Sequence, residues 1–307
     1  MSDASAGQPA PRLILGYTFA ALTVLGWSSY NVAAKYGVDT GLSPLLLSSM
    51  RYGVAGVLLI PAYLWLLARG APMPSLGQTV VLAIFGGPLF AFFAVSGYRH
   101  APLSHGLLFA PSAVFLIGGL ISLLVFREPV SRWFLPGAAL VFTGLALVSG
   151  FEIASLGPGS LRGDAMFFLA GSMWAGFTLL MRHWRIDPIA GTAAVGSVSA
   201  LISWPIYLAF SQDDFGTITT GTLVFQGLMQ GILGGVLSFA FYMAAVRELG
   251  GARASLLPSM TPGTALIIAW IALGQPPSLV ELTGIALVTG GLILALRPQE
   301  GSGQRAG

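Results

Sequence analysis

Ten stretches of this chain are each long enough and apolar enough to cross a lipid bilayer, with only short connections between them. They run over about residues 13–36, 44–68, 79–98, 103–126, 133–150, 164–182, 189–210, 222–246, 253–273 and 280–296, where about twenty apolar residues in a helix span the roughly 30 Å hydrocarbon layer. None of the connections can hold a soluble domain. Only 8 % of the 307 residues are charged, against about 25 % in an ordinary soluble domain. Those charges are too few to cover a globule of this size in water, which excludes a soluble enzyme. The 55 % hydrophobic content excludes a disordered chain. The stretches lack the even alternation of barrel strands, so the expected fold is an all-α integral membrane bundle of ten transmembrane helices. The 41 glycines and 19 prolines suit it, because neighbouring membrane helices re-satisfy the backbone groups these residues disturb.

The chain has no cysteine, which removes disulfides, thiolate metal sites and cysteine nucleophiles. No basic run interleaved with aromatics points to nucleic acid. The expected partners are the lipid bilayer and a small molecule. The first apolar stretch is longer than a signal-peptide core and reads as a retained helix. The sequence leaves the oligomeric state open, a monomer being compatible with it.

Lys and Arg collect on the cytoplasmic side of membrane proteins. With the N-terminus in the cytoplasm, Arg12, Arg69, Arg127, Arg132, Arg182, Arg185, Arg247, Arg253, Arg297 and Arg305 fall inside. Lys35, Arg99 and Arg162 fall outside, and Arg51 lies within the second helix. This distribution predicts both termini in the cytoplasm, for a multi-pass protein of a bacterial inner membrane.

An offset of 147 residues brings the two halves into register. Trp27 maps to Trp174, Gly87 to Gly234, Pro111 to Pro258, Pro129 to Pro276, Gly137 to Gly284 and Gly144 to Gly291. Trp on Trp and two Pro on Pro in one gapless register point to a duplication. The expected organisation is a tail at 1–12, one repeat at 13–150, a second at 160–296 and a tail at 297–307. Five helices per repeat is an odd number, so the halves cross the membrane in opposite senses. Inverted repeats of this kind are typical of transporters with a midplane site between the halves.

These residues resemble the drug/metabolite transporter superfamily, specifically ten-helix exporters built of two EamA-type repeats. The resemblance rests on Trp27 and Trp174 midway along the first helix of each repeat, on the run from Pro111 to Glu128-Pro129, and on Gly137 and Gly144. Pro258, Gln275-Pro276, Gly284 and Gly291 continue it in the second repeat. It covers essentially the whole chain, and Gln275 stands where many members carry Glu. Within the superfamily the chain resembles the YddG-type aromatic amino-acid exporters, whose sixth-helix cavity tryptophan corresponds to Trp174. Their fourth-helix Trp–Pro pair is met here only by Ala110-Pro111. The resemblance implies export of small metabolites, amino acids including aromatic and other apolar ones, with a broader range than the aromatic exporters. Export of another metabolite or of a drug is the alternative within transport, and a non-transporting membrane scaffold is the alternative outside it.

The residues themselves suggest where a cavity would lie. Trp27 and Trp174 sit mid-helix, away from the interfacial belts where tryptophan collects. Each offers an apolar face and one N–H donor. Asn31 lies one turn from Trp27, and Met173 and Phe177 flank Trp174. Pro111 and Pro258, expected inside the fourth and ninth helices, would kink them and free a carbonyl. Gly86-Gly87-Pro88 and the Gly227, Gly231, Gly235 stripe allow close helix approach. Ser238 and Tyr242 continue that stripe as polar candidates. Packing is the competing reading at every one of these positions. Arg51 lies about seven residues into its helix, roughly 10 Å deep. A charge at that depth is costly and is a functional candidate. Tyr98, Arg99 and His105, with His100, surround the next turn on that side, and together with Arg51 they are candidate gate residues.

Absences narrow the chemistry. There is no HExxH, GxSxG or Walker pattern, and no nucleophile–base pair for an intramembrane hydrolase. No metal or cofactor is expected, and the chain does not read as an enzyme. No acid sits clearly mid-helix, and Asp164 and Glu281 are placed to complement helix N-termini. An uncharged polar–aromatic pocket suits a neutral or zwitterionic substrate and transport without ion coupling. The expected cavity lies between helices 1, 3, 4, 6, 8 and 9, with helices 5 and 10 peripheral.

Overall fold

A computed structural model describes residues 13–127, 131–156, 159–211, 213–216, 218–254 and 256–295. The expected tails, Glu128 and Pro129 lie outside the described residues. Every regular element among them is helical. In chain order these are α1 (Leu13–Asp39), α2 (Pro44–Ala68), α3 (Leu76–Gly86), α4 (Pro88–Ser96), α5 (Leu103–Leu124), α6 (Phe134–Leu156) and α7 (Ser160–His183). There follow α8 (Pro188–Phe210), α9 (Thr220–Gln226), α10 (Ser238–Leu249), α11 (Gly251–Ala254), α12 (Leu257–Leu273) and α13 (Leu279–Ala295). A 3-10 turn, Gly97–Arg99, follows α4, and a π-helical segment, Gly227–Leu237, joins α9 to α10. Taking α3 with α4 and α9 with α10 as continuous rods, seven helices among the described residues are long and apolar enough to cross a membrane, and three shorter apolar ones accompany them.

The helix starts are written in local sequence. Ser43 caps α2 by accepting from the Leu46 N–H, with Pro44 in the first turn, where no intrahelical N–H is missed. Ser75 and Gln78 form a reciprocal capping box at α3. Asp187 caps α8 ahead of Pro188. Large apolar side chains face outward along the bundle, among them Leu208, Ile271 and Leu279, each more than three-quarters exposed. An apolar outer surface this extensive belongs in lipid.

Glycines set the closest helix contacts. A Cβ at Gly137 on α6 would lie 2.5 Å from the Gly291 carbonyl of α13, and one at Gly291 would lie 2.6 Å from the Gly137 carbonyl. Further along, a Cβ at Gly144 would lie 2.9 Å from the Gly284 carbonyl. Residue numbers rise along α6 as they fall along α13, so the two helices are antiparallel. The same holds for α2 and α8. The Ser49 hydroxyl donates to the Ser203 carbonyl at 3.3 Å, and Gly56 abuts the Gly196 carbonyl. The 147-residue offset exchanges the members of each pair of contacts: Gly137 becomes Gly284 as Gly291 becomes Gly144, and Ser49 becomes Gly196 as Ser203 becomes Gly56.

Three boundaries differ from the sequence reading. The third apolar stretch is broken at Gly87, because Pro88 cannot donate to the preceding turn. The eighth is π-helical through its glycine stripe. The ninth begins at Leu257, so Pro258 stands in the first turn of α12 and produces no mid-helix kink. The interior proline there is Pro262, whereas Pro111 is inside α5 as expected.

Candidate functional site

Arg51 organises one cluster where α1, α2 and α4 meet. Its guanidinium carbon lies 4.6 Å from the Tyr30 ring centroid on α1 and 5.9 Å from that of Phe90 on α4. Tyr30 and Tyr52 are its polar neighbours. The Tyr52 hydroxyl donates to the Gly86 carbonyl at 2.5 Å. That carbonyl is one of the last four of α3 and has no partner within its own helix, so the break at Gly87 makes an acceptor that Tyr52 uses. Arg51 is half-buried, and no carboxylate pairs with it among the described residues.

Phe90 also faces α7. Its ring lies 5.1 Å from that of Trp174, and Trp174 lies 5.0 Å from Phe177. Phe177 in turn packs on Gly86, where a Cβ would come within 2.5 Å of its ring. Arg51, Phe90, Trp174 and Phe177 therefore form one continuous line from a cation to an aromatic wall. Trp27 is elsewhere: it packs on Tyr242 of α10, with ring centroids 5.3 Å apart. Asn31 donates to the Trp27 carbonyl at 2.8 Å and accepts from the Tyr98 hydroxyl at 3.0 Å. The paired tryptophans of the repeat thus belong to two aromatic groups.

Tyr98 also lines a cavity of about 630 Å³ with Lys35, Asp39, Arg99, Gln275 and Glu281. The Lys35 ammonium bridges Asp39 at 2.6 Å and the Tyr98 carbonyl at 3.2 Å. Tyr98 lines this vestibule, and its hydroxyl reaches Asn31 on α1. Arg99 is exposed, and Tyr98 is buried against Phe167 at 4.9 Å. The two neighbours share the cavity but differ in burial.

Several expected site residues are placed otherwise. His105 is fully buried, away from the turn surface, with Nδ1 2.5 Å from Asp164 Oδ1. Asp164 is part of this buried pair, a role beyond complementing a helix end. Ser238 is fully buried against Gly26, and its hydroxyl donates to the Leu233 carbonyl at 2.7 Å. Met173 is buried, and Pro258 is exposed at its helix start. Pro88 begins α4, and Pro111 lies half-buried in α5.

Tyr30, Tyr52, Phe90, Gln226 and Gln230 escaped the sequence reading. Gln226 and Gln230 are both buried, and they bond the Ala33 and Tyr30 carbonyls of α1 at 2.8 and 3.2 Å. Two amides four apart in an apolar stretch were the available signal. The π segment they enter carries Gly231 and Gly235 against α2, as close packing requires. Gly87 and Gly234 correspond under the repeat offset, and both helices leave regular α geometry there. π-helical turns recur at functional sites.

The profile of the EamA-like transporter family matches the chain twice, over residues 14–150 and 161–297. The chain belongs to the EamA-like transporter family. It is a multi-pass membrane transporter with two EamA repeats, and its relatives are transporters and not enzymes. The uncharacterized transporter YetK of Bacillus subtilis is 25 % identical over 288 residues, 90 % of this chain and 84 % of that protein. A protein named a probable terminal-alkyne amino-acid exporter, from Streptantibioticus cattleyicolor, is 26 % identical over 90 % of this chain and 91 % of its own length. A solved crystal structure shares the fold with a TM-score of 0.61 at 21 % identity, covering 92 % of this chain and 96 % of that one.

Proposed function

We propose that this EamA transporter exports amino acids, aromatic and other apolar ones included, across a bacterial inner membrane by alternating access. The aromatic wall of Phe90, Trp174 and Phe177 carries this reading. Three aromatic rings adjoin one another there, with the Arg51 cation and the Tyr30 and Tyr52 hydroxyls beside them. The name of the Streptantibioticus relative, an amino-acid exporter, supports it.

The transport architecture is ten crossings in two five-helix repeats of opposite sense. The antiparallel runs of α6 against α13 and of α2 against α8 favour it, since repeats of like sense would set these equivalent helices parallel. The broken third helix and the π-helical eighth helix, irregular at equivalent glycines, are the parts that rearrange between states. Tyr98 and the Lys35–Asp39 pair close the outer side, with both termini cytoplasmic.

The test is counterflow of a panel of labelled amino acids into liposomes holding the purified protein. Saturable exchange of phenylalanine and leucine is expected. Exchange confined to other metabolites or cationic drugs would replace the substrate assignment.

A further inference from the structure

An arginine roughly 10 Å along a membrane helix needs a reason to be there. Pairing with an acid is the commonest one, and Arg51 has no such partner among the described residues. The rings of Tyr30 and Phe90 stabilise its charge from their faces. The hydroxyl oxygens of Tyr30 and Tyr52 accept from the guanidinium and engage part of its set of five N–H donors. Tyr52 gives its own proton to the Gly86 carbonyl and so meets Arg51 as an acceptor. The remaining donors of this planar fork, partly buried beside aromatic rings, suit a carboxylate.

The surroundings fix the rest of the ligand. Phe90 touches both the guanidinium and Trp174, and Phe177 extends the wall. We infer that Arg51 binds the carboxylate of the transported molecule while its hydrocarbon part lies against Phe90 and Trp174. This rests on the transport reading above and narrows it to substrates carrying a carboxylate next to an apolar group.

The experiment measures binding to the purified full chain in detergent by tryptophan fluorescence and by thermal shift. The three probes are phenylalanine, phenylalaninamide and 3-phenylpropionate, which differ only in which charged groups they carry. Wild-type protein is expected to bind both carboxylates more tightly than the amide. Arg51→Gln is expected to weaken the carboxylates by about tenfold or more, the loss of one charged hydrogen-bonding contact, while leaving the amide unchanged. Arg51→Lys, which keeps the charge and loses the fork, is expected to fall between. Equal weakening of all three probes in Arg51→Gln, or none, overturns the inference. Should that variant not fold, wild-type binding of the amide as tightly as the acid overturns it alone. Arg51-dependent binding of 3-phenylpropionate without phenylalanine upholds the carboxylate site and removes the amino-acid assignment. Wild-type protein that binds none of the three overturns both.

Discussion

His105 Nδ1 and Asp164 Oδ1 lie 2.5 Å apart across the contact between α5 and α7, both sealed from solvent. The other carboxylate oxygen accepts from the Ser149 hydroxyl of α6 at 2.7 Å. One acid therefore ties three helices together. His105 is also stacked on Phe109, with ring centroids 5.9 Å apart. Removing the acid leaves a buried imidazole and a partly buried hydroxyl without their partner, the imidazole alone costing about 1–3 kcal/mol. Asp164→Ala should therefore lower the unfolding temperature in detergent markedly. An unchanged transition would show that the three helices do not depend on this link.

The glycine contacts make a sharper prediction, because two neighbours in α13 should behave oppositely. A Cβ at Gly291 meets the Gly137 carbonyl at 2.6 Å, while one at Gly290 meets nothing within 4 Å. Gly290→Ala should stabilise by about 0.5–1 kcal/mol, the helix-propensity gain of alanine over glycine. Gly291→Ala should destabilise by forcing α6 and α13 apart. Thermal melts of the two purified variants read the sign directly, and equal shifts would refute the α6–α13 contact.

The helices were legible in the sequence because a bilayer demands long apolar runs, and the duplication because Trp and Pro are rare enough to mark a register. What the sequence hid was direction. Hydropathy cannot say that Trp27 turns toward Tyr242 while Trp174 turns toward Phe90. It cannot show that His105 reaches across to Asp164, 59 residues away. Pro258 misled because a proline in an apolar stretch reads the same in a first turn as in a kink. Phe90 was passed over because a phenylalanine in a membrane helix carries no distinguishing mark until its neighbours are known.

Orientation is open to a direct check. Lys and Arg are concentrated on the side assigned to the cytoplasm. Reporter fusions at either terminus should be active only in their cytoplasmic form. An external terminus would turn the Lys35–Asp39 vestibule into an inner one and reverse the gate assignment.

Ion coupling should be absent. Proton coupling through an acid requires a carboxylate that water can reach during the cycle. Asp164 is sealed with both oxygens engaged, and the two acids that line the vestibule are already held, Asp39 by Lys35 and Glu281 by Ser278. Flux of a labelled amino acid into liposomes should proceed without a proton or sodium gradient and should run only down its own gradient. Concentrative uptake abolished by a protonophore would contradict this and make the His105–Asp164 pair the first place to look for a carrier.

The central claim is that Trp174 forms the wall against which the substrate side chain lies, and transport by Trp174→Ala and Trp174→Phe tests it most directly. Loss of a stacking contact is worth about 0.5–1.5 kcal/mol beyond area burial, roughly a threefold to tenfold change in affinity. With rates normalised to protein in the membrane, Trp174→Ala should impair phenylalanine and leucine more than alanine, and Trp174→Phe should retain most of the wild-type preference. Unchanged transport of every amino acid by both variants would assign Trp174 to packing and contradict the account.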